Sequence, residues 1–150
     1  MGIKVVATNR KARHEYFVLE TFEAGIALQG SEIKSIRAGH ISLAESYIRI
    51  DGHEAWLEDA HIAPYEQASI NNHDPRRPRK LLLHRDEIGK LWTNVRQKGV
   101  TVIPLKVYLK DGRAKIEIAL AKGKKLYDKR AEITKRDAAR EIERQYHSRD

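Results

Sequence analysis

Two Asp-Gly dipeptides, each set between runs that alternate apolar and polar residues, constrain the fold of this chain most strongly. They are Asp51-Gly52, within residues 47–58, and Asp111-Gly112, within residues 100–120. Asp-Gly between two alternating runs is the sequence pattern of a tight antiparallel hairpin. The chain is therefore expected to be built mainly from β-strands.

Three single residues predict where these strands bend or end. Residues 16–22 are rich in aromatic and β-branched side chains, and Gly25 shortly afterwards predicts a bulge or a sharp bend. Pro104 cannot donate a ladder hydrogen bond, so it is expected at an edge or a bulge. Gly123 ends the alternation of residues 114–120. Strands curved in this way suit a small closed barrel.

Two further segments have helical patterns. Residues 30–39 predict a short helix with Ser31 as its N-cap and Gly39 at its end, which would plug one mouth of the barrel. After a run of three leucines, a second helix is expected to begin near Asp86 and to end at Gly99. Its apolar residues recur at helical spacing and predict core packing: Ile88, Leu91, Trp92 and Val95.

The charge of the chain is distributed unevenly. The 29 Lys and Arg residues exceed the 21 Asp and Glu residues, giving a formal net charge of +8. Residues 38–75 contain one basic and seven acidic residues, whereas residues 76–150 contain 22 basic and ten acidic ones. An excess of cations favours a polyanionic partner. The acidic 47–58 hairpin is expected to face away from that partner.

Four basic segments supply candidate phosphate contacts. They are the patch 9–16, the proline-containing loop 69–80, the surroundings of the second hairpin, and the run AKGKKLYDKR at 121–130. The alternative for each segment is a solvated charge run without a partner. The candidates among these segments are Lys11, Arg13, His14, Arg79, Lys80, Lys106, Lys122, Lys124 and Lys125.

Several other functions lack a sequence pattern. The chain has no cysteine, which excludes disulfides and thiolate zinc sites. No apolar run approaches the length of a membrane span, so an anionic membrane is a weaker partner than nucleic acid. The histidines His53, His61 and His73 are irregularly spaced, and no metal site or cofactor is expected. No nucleotide-binding loop or nucleophile motif is present, so catalysis is not expected.

In combination, four motifs resemble the small protein B family, the SsrA-binding proteins of bacteria. They are NRKARHEY at 9–16, LQGSEIKSIRAG at 28–39, RRPRKLLL at 76–83 and AKGKKLYDKR at 121–130. The resemblance covers nearly the whole chain. It implies an oligonucleotide-binding (OB) barrel with added helices at residues 1–125. A basic tail at 126–150 would be disordered when free and helical on the ribosome.

The resemblance also implies a cytoplasmic role in trans-translation. The barrel would bind the tRNA-like domain of transfer-messenger RNA (tmRNA). Elongation factor Tu with GTP would deliver the complex to a ribosome stalled without a stop codon. The tail would sense the empty mRNA channel near the decoding centre of the small subunit. Ribosome rescue and tagging of the nascent peptide for proteolysis would follow.

The implied site residues fall into two groups. The RNA face of the barrel would contain Asn9, Lys11, Arg13, His14, Glu23, Lys122, Lys124 and Lys125. The ribosome-sensing tail would begin with Asp128, Lys129 and Arg130 and continue through the spaced arginines Arg136, Arg140 and Arg144. Glu23 cannot bind phosphate, so it would accept a hydrogen bond from a base or a 2′-hydroxyl group, or orient a neighbouring arginine.

Two alternatives from other classes stay open. A structural ribosomal protein could also combine a barrel with a basic extension, although acids within this tail, Asp137, Glu141 and Glu143, favour a reversible helix. Sedimentation at high salt would separate the two, because a permanent component stays with its subunit. A nuclease could use the Glu32-Ile33-Lys34 pattern, but no acidic residue precedes it at a suitable position.

Overall fold

The computed structural model describes residues 2–65 and 72–124. Within these residues, nine strands and three helices form. The strands are β1 (Ile3–Thr8), β2 (Tyr16–Ile26), β3 (Ile41–Ser42), β4 (Tyr47–Ile50), β5 (Ala55–Glu58), β6 (His61–Ile62), β7 (Arg79–Leu82), β8 (Val100–Lys110) and β9 (Arg113–Gly123). The helices are α1 (Ala12–Glu15), α2 (Gly30–Arg37) and α3 (Arg85–Val95).

Seven strands form one antiparallel sheet that closes on itself. Their order is β1-β8-β4-β5-β7-β2-β9, and β9 also pairs with β8, which completes the ring. β3 and β6 form a separate pair. The mainly β barrel with added helices is confirmed. Both Asp-Gly hairpins form, and the second turn has positive φ at Asp111 (53°) and Gly112 (81°), as its sequence predicted.

The barrel interior is the main hydrophobic core. Alternate residues of β2, β8 and β9 point inward, and Ile36 of α2 and Leu91 of α3 are fully buried against them. The predicted core stripe of α3 is therefore confirmed at Leu91. α2 begins two residues earlier than a helix with Ser31 as its N-cap would. Gln29 is its N-cap, and Glu32 accepts a hydrogen bond from the Gln29 N–H at 2.7 Å.

The bulge in β2 lies elsewhere than predicted. Its pairing with β9 shifts at Leu19, between Val18 and Glu20, whereas Gly25 pairs regularly with Lys115 of β9 and with Leu82 of β7. A Cβ at position 25 would lie 3.3 Å from Leu82 Cβ. Gly25 thus lies where the β2 backbone, between β7 and β9, comes close to Leu82.

Two other expectations differ from the structure, and a third is confirmed. The leucine run enters strand β7, and α3 begins at Arg85 with His84 as its N-cap. Residues 3–8, for which the sequence predicted no element, form strand β1 against β8. Pro104 does lie at a bulge, because Leu105 has no partner between Pro104 and Lys106 in the pairing with β9. The predicted tail at 126–150 lies outside the described residues.

Candidate RNA interface

The short helix α1 is fixed on the outside of the barrel. Ala12 is 2% exposed and packs in a second small cluster with Ile103, Leu105, Ala119 and Ala121, which belong to β8 and β9. This single buried alanine anchors a segment whose other residues are polar. Helix formation by four residues gains little by itself, so this packing determines where the segment lies.

The cations of the 9–16 patch therefore point away from the barrel. Lys11, Arg13 and His14 are all exposed, and Lys11 occupies the N-cap position of α1. Arg13 and His14 lie in the last turn of the helix. The structure places these three candidates together, in a position where phosphates can reach them.

Asn9 has a different environment from its basic neighbours. Its side-chain Nδ2 donates to the Pro104 carbonyl oxygen at 2.9 Å. Its backbone N–H donates to the Leu105 carbonyl oxygen at 2.8 Å. Asn9 is partly buried, and its amide donor contacts β8.

Cross-strand register places further candidates on the same outer side of the sheet. Thr8 lies opposite Lys106, Lys106 lies opposite Glu117, and Glu117 lies opposite Glu23. In the next β8–β9 pair on the same face, Tyr108 lies opposite Lys115. Directly opposed residues share one face of a sheet. Lys106 and Glu23 are therefore brought onto one surface.

Glu23 is occupied by neighbours within the protein. Tyr108 donates a short hydrogen bond from its hydroxyl group to Glu23 Oε2, and Lys110 Nζ lies 3.5 Å from Oε1. The Tyr108 hydrogen bond is the main reason that the pKa of Glu23 falls below its usual range, with Lys110 adding to the effect against partial burial. Burial and then Glu23 raise the pKa of Tyr108 well above its usual range.

The end of β9 meets the end of α1. The Lys124 backbone N–H donates to the Glu15 carbonyl oxygen at 2.6 Å, and Lys124 Nζ lies 5.0 Å from the centroid of the Phe17 ring. Lys122 lies opposite Phe17 in the β2–β9 pairing. Phe17 is 41% exposed, which leaves aromatic surface beside two cations. Such a surface suits base stacking, and the sequence analysis missed it.

We call the surface formed by these side chains the basic face. Lys11, Arg13, Lys106, Lys110 and Lys115 come from the outer sides of α1, β8 and β9, with Glu23 from β2. Lys122, Lys124 and Phe17 come from the end of the β2–β9 pair, where Lys122 lies opposite Phe17 and the core residue Val100. Its members are Lys11, Arg13, His14, Phe17, Glu23, Lys106, Tyr108, Lys110, Lys115, Lys122 and Lys124.

A shallow cavity of about 400 Å³ adjoins the basic face at Lys115. Its apolar lining includes Ile26, Ile33 and Leu82, and Arg113 lies at its rim together with Lys115. Leu82 is 55% exposed, so part of this apolar lining is open to solvent. The sequence pattern predicted that the leucine run leads into a helix, and it indicated no surface role for Leu82.

The prediction that Arg79 binds phosphate is wrong. Its side chain is fully buried, with Nε donating to Glu32 Oε2 at 2.7 Å and Nη1 donating to the Ala60 carbonyl oxygen at 2.7 Å. Nη2 donates to the Pro75 carbonyl oxygen at 3.0 Å. Burial is the largest influence on the pKa of Arg79 and lowers it, although Glu32 opposes this. The guanidinium group is thus part of the protein interior.

Glu32 binds a second guanidinium group as well. Arg77 Nε donates to Glu32 Oε2 at 2.9 Å, and Glu32 is itself fully buried. Burial raises the pKa of Glu32. The hydrogen bonds from Arg77, the Gln29 N–H and Arg79 outweigh this, so its pKa lies below the usual range. We call Glu32, Arg77 and Arg79 the buried ion network.

Lys80 is exposed on β7, with its Nζ 3.0 Å from Glu54 Oε2. It lies opposite Trp56 of β5, outside the basic face as defined above. That Lys80 binds RNA stays a prediction. Lys125 and the tail candidates from Asp128 to Arg144 lie outside the described residues.

Two other kinds of site can be compared with the described residues, a metal site and a membrane span. Within residues 2–65 and 72–124, no group of three His, Asp or Glu side chains is arranged to hold a metal ion. None of the helices in this part of the chain is long and apolar enough to cross a membrane. Neither finding adds a residue to the basic face.

Comparison with known proteins decides the family. The family model described as SmpB protein matches residues 6–148 of the chain. The chain belongs to the SmpB family. The resemblance in the four motifs is thus confirmed over nearly the whole length, including residues beyond the described part of the structure.

Relatives within the SmpB family are similar along their whole length. The SsrA-binding protein of Desulforudis audaxviator is 62% identical over 141 residues, covering 94% of this chain and 92% of its own. That of Carboxydothermus hydrogenoformans is 57% identical over 146 residues, covering 97% of this chain and 98% of its own.

A solved SmpB structure has the same fold. It comes from "tmRNA-SmpB: a journey to the center of the bacterial ribosome" and is 53% identical in sequence. The match has a TM-score of 0.65 and covers 78% of this chain and 82% of the solved one. The barrel described above is therefore the SmpB barrel.

Proposed function

We propose that this protein binds SsrA RNA, the transfer-messenger RNA, and acts with it on stalled ribosomes in trans-translation. One observation carries the proposal. The motif segments 9–16 and 121–124 are separated by more than a hundred residues in sequence, yet they meet where the Lys124 N–H donates to the Glu15 carbonyl oxygen. The two basic motifs thereby form one surface. The similarity to SsrA-binding proteins supports SsrA RNA as the polyanion that this surface binds.

The basic face would act mainly by neutralising phosphates of the tRNA-like domain. Lys11, Arg13, Lys106 and Lys124 reach outward from three different elements, which suits a curved RNA backbone. If about six phosphates are neutralised, affinity should fall by about three decades between 50 and 200 mM salt, taking the duplex slope as a guide. Phe17 would add stacking on an unpaired base.

Glu23 would position neighbouring side chains of the protein at this interface. Its carboxylate accepts from Tyr108 and faces Lys110, so both residues are held on the outer side of β8. One role that the sequence left open for Glu23 was to orient a neighbouring arginine. In the structure its neighbours are instead Tyr108 and Lys110.

Further roles are proposed for the whole RNA-binding unit, for the tail and for the partners of the protein. Residues 1–125 would be the RNA-binding unit, with Lys125 extending the basic face. Residues 126–150 would enter the empty mRNA channel, beginning with Asp128, Lys129 and Arg130. Elongation factor Tu with GTP would reach the protein through the shared RNA. The work would take place on cytoplasmic ribosomes, and we propose a binding role without catalysis.

The first test compares SsrA RNA with an ordinary transfer RNA at matched salt. The full chain is expected to prefer SsrA RNA clearly, and equal affinity for both RNAs would contradict the proposal. The double substitution Lys129→Ala with Arg130→Ala should leave this preference nearly intact while it abolishes peptide tagging on stalled ribosomes. Equal losses in the two assays would contradict the proposed division between barrel and tail.

A further inference from the structure

The bulge in β8 decides which of its side chains face outward. Along β8, Ile103 packs under α1 on the outer side of the barrel. Leu105 is the extra residue between Pro104 and Lys106, and it packs in the same outer cluster. After the bulge, Lys106 lies opposite Glu117 and Tyr108 lies opposite Lys115, on the outer side. The bulge therefore shifts the alternation by one residue.

Regular alternation would produce the opposite arrangement. Counting by twos from Ile103 without a bulge would place Val107 and Leu109 outside, and Lys106, Tyr108 and Lys110 inside. In the structure Val107 is fully buried in the main core, and Leu109 packs against that core. A one-residue slip exchanges the two faces of a strand completely. Lys106 and Lys110 thus lie on the basic face only because the bulge at Leu105 precedes them in β8.

Asn9 is the residue that holds this bulge. A bulge interrupts the ladder and leaves backbone groups to find other partners. The Asn9 side-chain amide donates to the Pro104 carbonyl at 2.9 Å, and its backbone N–H donates to the Leu105 carbonyl at 2.8 Å. The two carbonyls belong to the residue before the shift and to the extra residue itself. One asparagine therefore ties β1 and the 9–16 motif to the bulge.

We propose that Asn9 is a positioning residue, which fixes the β8 bulge and thereby presents Lys106 and Lys110 to RNA. This inference rests on the proposed function, because it takes the basic face to be the RNA-binding surface. It differs from the sequence-based expectation that Asn9 contacts RNA itself. The side-chain donor of Asn9 is already engaged with Pro104, which is what a positioning role requires.

The salt dependence of SsrA RNA binding separates positioning from direct contact. Asparagine is neutral, so the loss of a direct Asn9 contact would weaken binding without changing the number of counterions released. If Asn9 positions two lysines, Asn9→Ala should reduce the slope of log affinity against log salt by between about one and two. Lys106→Ala with Lys110→Ala should reduce it by about two.

A matched control is available in α3. Asn94 Nδ2 donates to the Lys90 carbonyl oxygen at 2.8 Å, so Asn94→Ala removes the same kind of bond outside the basic face and the bulge. It should leave the slope unchanged. Amide hydrogen exchange of residues 105–110 should accelerate in Asn9→Ala and not in Asn94→Ala. If Asn9→Ala does not fold, Asn9→Ser replaces it, since serine also removes the amide donor to Pro104 but keeps a polar side chain at this position.

A double-mutant cycle gives the deciding outcomes. In the Lys106→Ala, Lys110→Ala background, Asn9→Ala should change affinity by less than about twofold, because the lysines that it positions are gone. In a Lys124→Ala background its effect should be fully retained. Additive losses with an unchanged salt slope would overturn the inference and restore direct contact. If the two lysine substitutions alone leave affinity unchanged, the assignment of the basic face itself is wrong.

Discussion

Two cation-rich regions of this barrel use their charges in opposite ways. In the buried ion network, Arg77 and Arg79 both donate to Glu32, and Arg79 has no exposed surface. On the basic face, Arg13 is exposed on α1, and Lys124 lies over an exposed aromatic ring. Both regions come from basic motifs of similar composition. Composition alone therefore does not distinguish a structural cation from one that is available to a partner.

The difference between them arises from one buried acid. Glu32 lies in the first turn of α2 and accepts from the Gln29 N–H as well as from the two arginines. A buried carboxylate needs opposite charge and hydrogen bonds to offset the loss of water. The arginine motif satisfies this need and also attaches the 74–79 segment to α2 through carbonyl contacts of Arg79. No comparable buried acid faces Arg13 within residues 2–65 and 72–124.

The largest expected effect comes from breaking the buried ion network. Glu32→Ala leaves the buried Arg79 guanidinium without its counter-charge, so it should lower the free energy of unfolding by about 3–5 kcal/mol. Urea denaturation measures this. Glu20→Ala is the control, because Glu20 pairs with Lys90 at 2.8 Å on the exposed surface, where about 1 kcal/mol or less is expected. Equal losses for the two variants would mean that the burial of the network has no consequence.

A smaller effect follows from the lowered pKa of Glu32. A carboxyl group whose pKa is depressed by folding stabilises the protein above its unfolded pKa, and this stabilisation is lost as the pH falls through the folded pKa. The unfolding free energies of the protein and of Glu32→Gln should therefore differ by a constant amount near neutral pH. The difference should shrink once the pH falls below about 4.3. A difference that grows on acidification would contradict the direction of the shift.

The smallest effect is expected at Lys80. Its substitution tests whether this lysine belongs to the RNA-binding cations. Its ion pair with Glu54 is exposed, so Lys80→Ala should cost less than about 1 kcal/mol of stability. If Lys80 also contacts a phosphate of SsrA RNA, as its sequence predicted, the salt slope should fall by about one. Arg49→Ala on β4 is the control, because it removes one charge from another exposed pair. Identical slopes for both variants and the parent would remove Lys80 from the RNA-binding residues.

Local sequence patterns predicted much of the barrel, because the interactions that they describe are local. The Asp111-Gly112 turn depends on residues within its own hairpin, and the α3 stripe depends on helical spacing. The β8 bulge was signalled by Pro104, since a missing donor has the same effect in any sheet. The bulge in β2 was misplaced to Gly25. A glycine signals close approach of another backbone as readily as it signals a bulge, and Leu82 lies far from it in sequence.

The candidate site was predicted less completely, for a related reason. Whether Arg79 is surface or core depends on Glu32, 47 residues earlier, and no local pattern connects them. The exposure of Phe17 likewise depends on β2 extending past the barrel core. Residues 9–16 and 121–124 were assigned to one RNA face because the family resemblance joined them. Their contact at Glu15 and Lys124 could not be derived from either segment alone.

The most direct test of the central claim measures the salt slope of SsrA RNA binding for two charge-matched double variants. Arg13→Ala with Lys124→Ala removes two cations from the basic face. Arg49→Ala with Arg96→Ala removes two exposed cations elsewhere, on β4 and at the C-cap of α3. The first pair should reduce the slope by about two and the second should leave it unchanged. Equal reductions would show that net charge, and not a defined face, drives RNA binding.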